Sequence, residues 1–283
     1  MLYTIENDNL TVKVNDFGAE LTSVVFKGKE RLWQNENGGW AGHSPIMFPA
    51  CGSCEVVVNG KVYTHFLHGF ARKSTFSVTA QGKDFVTMTL SSSEKTKECY
   101  PYDFRLAFTY RLEGDTLRVT HEVYNPSDED IYCAFGSHES YQLDGDVDGY
   151  VIEFEKEETF DSLLHTPDTG KLTGEIKNFG KGKILPLPTD FLQEGRTLIF
   201  KNVNSRKVTL KTTAGRGCAE VAFEGFPNLL LWRPHGAKMI CIEPWQNLPD
   251  SVGKEFIEFS EKTAIDTVKP RQTKTAIRSI RYF

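Results

Sequence analysis

Apolar and polar residues alternate in period two along most of this chain, and turn residues interrupt the alternation at short intervals. Leu10-Thr-Val-Lys-Val14 and Glu20-Leu-Thr-Ser-Val-Val-Phe26 set the pattern, which is that of a half-buried strand. Val56–Tyr63 contains Asn59-Gly60, the pair that best tolerates the two positive φ angles of a type I′ hairpin turn. Further strands are predicted over Ser74–Thr79, Asp84–Ser91, Phe104–Leu112, Thr116–Tyr124, Tyr132–Gly136, Tyr150–Phe154, Thr197–Asn202 and Lys207–Thr212. Ala219–Ala222, Leu229–Trp232, Met239–Ile242, Phe256–Phe259 and Lys274–Tyr282 complete the series. Helical windows are nearly absent, and turn signals recur every ~8–12 residues, the spacing of sandwiches and barrels. The expectation is an all-β protein of one domain over residues 1–283. Residues 155–192 carry Pro167, Gly170, Gly174, Gly180, Gly182, Pro186 and Pro188. They are expected as an irregular surface excursion within one sandwich, with an interdomain linker as the alternative.

Composition narrows the partners. A net charge of −5 does not suit a phosphate backbone, whose binding depends on clustered Lys and Arg, so no nucleic-acid partner is expected. No apolar run reaches the ~18–20 residues of a membrane span. The N-terminus enters a strand pattern at once, without a charged-then-apolar leader, and the six Cys are scattered. A cytoplasmic location with reduced thiols is therefore expected. Cys51-Gly-Ser-Cys54 has redox spacing but no strand-to-helix context, and is expected to be structural. Asp128-Glu129-Asp130 and Glu155-Lys-Glu-Glu158 read as solvated faces.

Three clusters place titratable residues where strands run into Gly or Pro turns: His65-Phe-Leu-His68-Gly-Phe-Ala-Arg72, Phe135-Gly-Ser-His138-Glu-Ser-Tyr141, and Met239-Ile-Cys-Ile-Glu243-Pro-Trp245. Strand ends are where a rigid sheet presents functional groups. Glu243 closes an apolar run, and Pro244 is expected to end the strand. A buried carboxyl has its pKa raised by desolvation unless it is paired, which makes Glu243 either a general base near neutral pH or an acceptor that fixes a loop. His68 and His138 titrate near pH 6.5 when unperturbed, and each suits a catalytic or a structural role. Two His and one Glu also suit a two-His-one-carboxylate metal site, although no His-Glu-x-x-His or His-x-His spacing supports it. His43, His121, His165 and His235 have no comparable setting.

The three clusters, in this order, resemble the aldose 1-epimerase (galactose mutarotase) family, and within it the smaller LacX-like branch. Asp16-Phe-Gly-Ala-Glu-Leu21, Leu32-Trp-Gln34, Ser44-Pro-Ile-Met-Phe-Pro49, Leu187–Phe191, Thr197-Leu-Ile-Phe200 and Glu224-Gly-Phe-Pro227 extend the likeness over nearly the whole chain. The resemblance implies a large antiparallel β-sandwich, a supersandwich, with a sugar on its concave face and no metal or organic cofactor. It implies a mutarotase acting on a free aldohexose, with Glu243 as base, His138 as acid and His68 as the second His. Sugar contacts are expected from Arg72, Trp232, Trp245, Tyr141 and His43. Departures from the family pattern fall at His43-Ser44-Pro45, at Glu139-Ser140-Tyr141 and at Arg196, all positions of expected sugar contact rather than of proton transfer. Arg72 lies four residues after His68 and in a strand would share its face, so it either enters the cleft or pairs with an acidic neighbour. With Arg233 it leaves room for an anionic sugar, as in the related hexose-6-phosphate epimerase branch. A carbohydrate-binding or sensing protein without turnover is the alternative of another class.

Overall fold

The computed structural model describes residues 1–35, 39–254 and 256–283. The alternating segments form strands, and every named strand pair is antiparallel. The fold class is thus the expected all-β antiparallel sandwich. One 15-stranded sheet organises the chain. One end of it runs through Ile46–Met47, Gly136–Ser137, Met239–Trp245, Asn228–Trp232 and Leu198–Phe200 to the long strand Tyr150–His165. The other end continues through Lys207–Thr212, Gly217–Glu224, Thr273–Tyr282, Thr116–Tyr124, Arg105–Glu113 and Phe85–Ser91 to Ser77–Gln81. A four-stranded sheet covers residues from Leu2 to Glu30. Its Ile5, Val12, Val14 and Leu21 join Phe108, Tyr110 and Ile280 of the large sheet in one hydrophobic cluster.

Period-two burial explains why these segments are strands. Arg105–Glu113 and Thr116–Tyr124 alternate between buried and partly exposed positions along their length. Met239–Trp245 differs, because all seven of its residues are buried. Ile240 and Ile242 enter the main cluster, whereas Met239, Cys241 and Trp245 belong to smaller clusters on the opposite face. A strand covered on both sides reads as a continuous apolar run rather than an alternation, as this one does. The Asn59-Gly60 turn forms as expected, with φ of 52° and 72°.

Four expectations are corrected. Residues 155–192 are mostly ordered strand: Tyr150–His165 and Leu172–Pro186 form a long bulged hairpin. The second strand is laddered to the first, with one further bridge from Leu172 to Ser251, and is exposed almost throughout, so its sequence carries no alternation. Met239–Trp245 continues through Pro244. Pairing with the 136–142 segment is registered at Gly136–Trp245 and again at Glu139–Ile242, so the ladder has its gap beside the residue that lacks an N–H. Phe256–Phe259 is not a strand; a 3-10 turn begins at Phe259. Glu158 is 5% exposed rather than solvated, and accepts hydrogen bonds from Asn204 and from the backbone and hydroxyl of Ser205.

Candidate active site

The face of Met239–Trp245 turned away from the main core lines a cavity of about 320 Å³. His68, Arg72, His138, Trp232, Glu243 and Trp245 all line it. The register that pairs Gly136 with Trp245 and Glu139 with Ile242 sets His138 opposite Glu243 on the neighbouring strand, and Leu230 flanks Glu243 from the other side. Directly opposed residues share a face at short range, which brings the two titratable groups together.

Glu243 is 1% exposed. Its Oε2 accepts the Trp245 indole N–H at 3.2 Å, and its Oε1 lies 3.5 Å from His138 Nδ1. Neither of those last two atoms has a hydrogen-bond partner among the described residues. Burial pushes the Glu243 carboxyl well above the usual carboxylate range, against the smaller opposing effect of the Trp245 hydrogen bond. The same burial pushes the His138 imidazole down to about 3, opposed by a backbone hydrogen bond and reinforced by the charge of Arg72. Both effects favour the uncharged pair.

His68 follows the strand Lys61–Leu67 and is held by an unusual backbone. It has φ of 66° and Gly69 has φ of 71°. A Cβ on Gly69 would stand 2.0 Å from the Phe48 carbonyl oxygen, so only glycine allows this turn. His68 Nδ1 accepts the Gly52 N–H at 3.1 Å. An accepting Nδ1 puts the proton of a neutral ring on Nε2, which leaves a donor on the ring's other edge. Burial, with the charges of His138 and Arg72, holds the His68 pKa well below its ordinary value. Its ring meets those of His138 and Trp245 edge-on, at 5.5 and 5.3 Å between centroids.

A family model described as aldose 1-epimerase matches residues 1–259. The chain belongs to the aldose 1-epimerase family. It is a sugar epimerase of the isomerase class. The epimerase is 29% identical over 289 residues to the plasmid-encoded protein LacX of Lactococcus lactis subsp. lactis, across 96% of each chain. It superposes on a galactose mutarotase related enzyme from Lactobacillus acidophilus with a TM-score of 0.90 and 26% identity, over 100% of this chain and 97% of that one. A galactose mutarotase-like protein from Lactobacillus casei ATCC 334 matches with a TM-score of 0.90 and 27% identity over 100% of both chains.

The remaining candidates divide. Trp232 and Trp245 line the epimerase cavity. So does Arg72, though from the 3-10 turn Ala71–Lys73 rather than from a strand. It makes no ion pair among the described residues, and its Nε has no partner. Tyr141 does not line the cavity. It lies three residues beyond His138, on the opposite face of a period-two segment, where it stands across from Ile240 and joins the main core. His43 does not line it either: its ring sits 3.7 Å from Glu20, whose carboxylate accepts the backbone N–H groups of His43 and Ser44. Glu20 thus secures the loop that carries Ser44-Pro45. No metal-spaced pair of His with Glu243 is found among the described residues; the metal-ligand grouping there is His138, Cys241 and Glu243.

Sequence reasoning missed Trp40 and His165. Trp40 stacks on His138 at 4.9 Å and 28° and meets Trp232 edge-on at 5.5 Å. The available signal was a large aromatic in a Gly-rich loop with no strand period to explain it. His165 lines the cavity, but both its nitrogens are engaged, Nδ1 with the Thr166 carbonyl and Nε2 with the Thr197 N–H. That leaves it a wall residue with no nitrogen free for a substrate.

Proposed function

We propose that this epimerase interconverts the α and β anomers of a free aldohexose by acid/base ring opening, with Glu243 and His138 as the proton-moving pair. The observation that carries the reading is the 3.5 Å approach of His138 Nδ1 to Glu243 Oε1, two buried atoms without other partners among the described residues, on the wall of a sugar-sized cavity. The Glu243 carboxylate takes the proton from the anomeric hydroxyl while His138 protonates the ring oxygen. The C1–O5 bond breaks, the aldehyde turns about C1–C2, and the same protons return as C1 recloses on its other face. No proton is gained or lost overall.

The uncharged pair and the carboxylate–imidazolium pair that begins this sequence hold the same single proton. Sugar hydroxyls donating to the carboxylate replace the water it lost on burial and favour the charged form. A carboxylate whose pKa has been raised is also a stronger base toward a hydroxyl. His68 presents its Nε2–H as a fixed donor for a sugar oxygen, and Trp40, Trp232 and Trp245 offer apolar faces to sugar C–H groups.

A second reading follows from Arg72. An arginine in the cavity wall that makes no ion pair among the described residues suits a phosphate, whose oxygens match its planar fork, so a hexose 6-phosphate is the alternative substrate. Anomer-exchange NMR or polarimetry over a panel of aldoses and their 6-phosphates tests both. Turnover of a free aldose, lost in Glu243→Gln, supports the first; no exchange with any aldose or phosphate ester would remove the enzyme reading in favour of a sugar-binding protein.

A further inference from the structure

Three metal-ligating groups of different chemistry lie together at the cavity, His138 and Glu243 in its wall and the fully buried Cys241 next to them. A ring nitrogen of His138, Cys241 Sγ and a carboxyl oxygen of Glu243 all lie within 4.8 Å of one another, and His138 Nδ1 is 3.5 Å from Glu243 Oε1. The placement follows from the strand: Cys241 and Glu243 are two residues apart and so share a face, and His138 stands opposite Glu243 on the adjoining segment. His138 Nδ1 and Glu243 Oε1 are buried without a hydrogen-bond partner among the described residues, which buried polar atoms in native proteins seldom are.

Spacing and charge select the ion. Tetrahedral zinc with bonds of ~2.0–2.3 Å holds its ligand atoms about 3.3–3.8 Å apart. The His138 and Glu243 atoms are already 3.5 Å apart, and Cys241 needs a shift of roughly 1 Å at most to reach that spacing. A set with one nitrogen, one sulfur and one oxygen suits zinc rather than the hard, oxygen-preferring magnesium or calcium. A thiolate and a carboxylate together cancel a divalent charge, which matters where the surroundings are buried.

We propose that this cleft binds zinc(II) as an inhibitor, through His138 Nδ1, Cys241 Sγ and Glu243, with the fourth position open toward the cavity. The ion occupies both groups assigned to proton transfer, so sugar turnover stops while it is bound. The inhibition rests on the epimerase reading; the binding does not.

Two measurements separate them. Metal-free protein titrated with cobalt(II), a spectroscopic stand-in for zinc, should develop a thiolate-to-cobalt charge-transfer band in the near ultraviolet, and zinc should displace it. Cys241→Ser should lose the band while keeping its circular dichroism. Cys241→Val, which preserves a small apolar side chain, serves if serine destabilises the strand. In anomer exchange, zinc should inhibit the wild type, a chelator should restore it, and both variants should be inhibited more weakly by at least the ~10–100-fold that losing an outer-shell partner costs a metal site. No band in the wild type, or an equal band in the variants, overturns the site. A band with no inhibition, or with activation by zinc, overturns the inhibitory role. If no sugar is turned over at all, the epimerase reading has failed, and the cobalt band still decides the site.

Discussion

Glu243 and His138 stand opposite each other on neighbouring antiparallel strands, with Oε1 3.5 Å from Nδ1 and the carboxyl 1% exposed. The backbone register sets this approach before any side-chain rotamer is chosen.

Glu243→Gln keeps the shape of the side chain and removes the carboxylate proposed as the base. Anomer exchange is expected to fall by about 10²–10⁴-fold, and the fold is expected to gain stability at neutral pH. The wild-type carboxyl has a folded pKa raised above 4.5, so above that pH the unfolded chain releases a proton that the folded chain retains. Wild-type stability therefore falls as pH rises from 4.5 toward the folded value, and the glutamine variant lacks that slope. Melting curves of both proteins between pH 4 and 8 check this; a variant that melts below the wild type throughout contradicts the burial argument.

His138 contributes the opposite slope at lower pH. Its pKa is 6.5 unfolded and about 3 folded, so the unfolded chain binds more protons between these limits. Stability is lost as pH falls from 6.5 toward 3. His138→Asn should lose less stability over that interval, by on the order of a few kcal/mol at its acid end, and should turn over sugar at least ~10²-fold more slowly. Denaturant unfolding at a series of pH values measures the first effect, and exchange kinetics the second.

Trp40 covers one face of the His138 ring. In Trp40→Ala water reaches the imidazole, its desolvation lessens, and its pKa should rise from about 3 toward 6.5. An NMR titration of the ring protons checks this. An unchanged value would mean that burial by the other neighbours, Trp232 among them, sets the pKa alone.

Arg72 distinguishes the two substrate classes. The wild-type protein is expected to show a higher kcat/KM for free galactose or glucose than for their 6-phosphates. Arg72→Ala should lower any phosphate turnover by at least tenfold while changing that of free aldose by less, since one charge-assisted contact is worth about 1.5–3 kcal/mol. A wild-type preference for the phosphate ester, abolished in Arg72→Ala, would move the assignment to the second class.

Legibility of the sequence followed burial. Strands with one wet face, such as Thr116–Tyr124, were readable because alternation records which side is covered. Leu172–Pro186 was not, because almost every residue there is exposed and nothing in the burial constrains the choice of side chain. Glu243, His68 and His138 were readable because each breaks an apolar or Gly-rich neighbourhood. Tyr141, expected only from the resemblance, sits on the core face because its odd separation from His138 puts it on the other side of the strand. Trp40 reaches the site through a loop, and loop paths are not written in a local period.

The two-sided burial of Met239–Trp245 also acts as a check on assembly. Shifting this strand by one position against its neighbours would turn Glu243 into the main core and put Ile242 in the cleft. The Glu243 carboxyl would then take the place of Ile242 opposite the buried Glu139, whose Arg278 partner already serves one carboxylate, and the misaligned chain would be penalised for burying a second. Proofreading of the strand alignment is thereby vested in Glu243, and a variant carrying an apolar residue there should refold with more misregistered, aggregation-prone chains than Glu243→Gln, whose polar side chain still rejects the core.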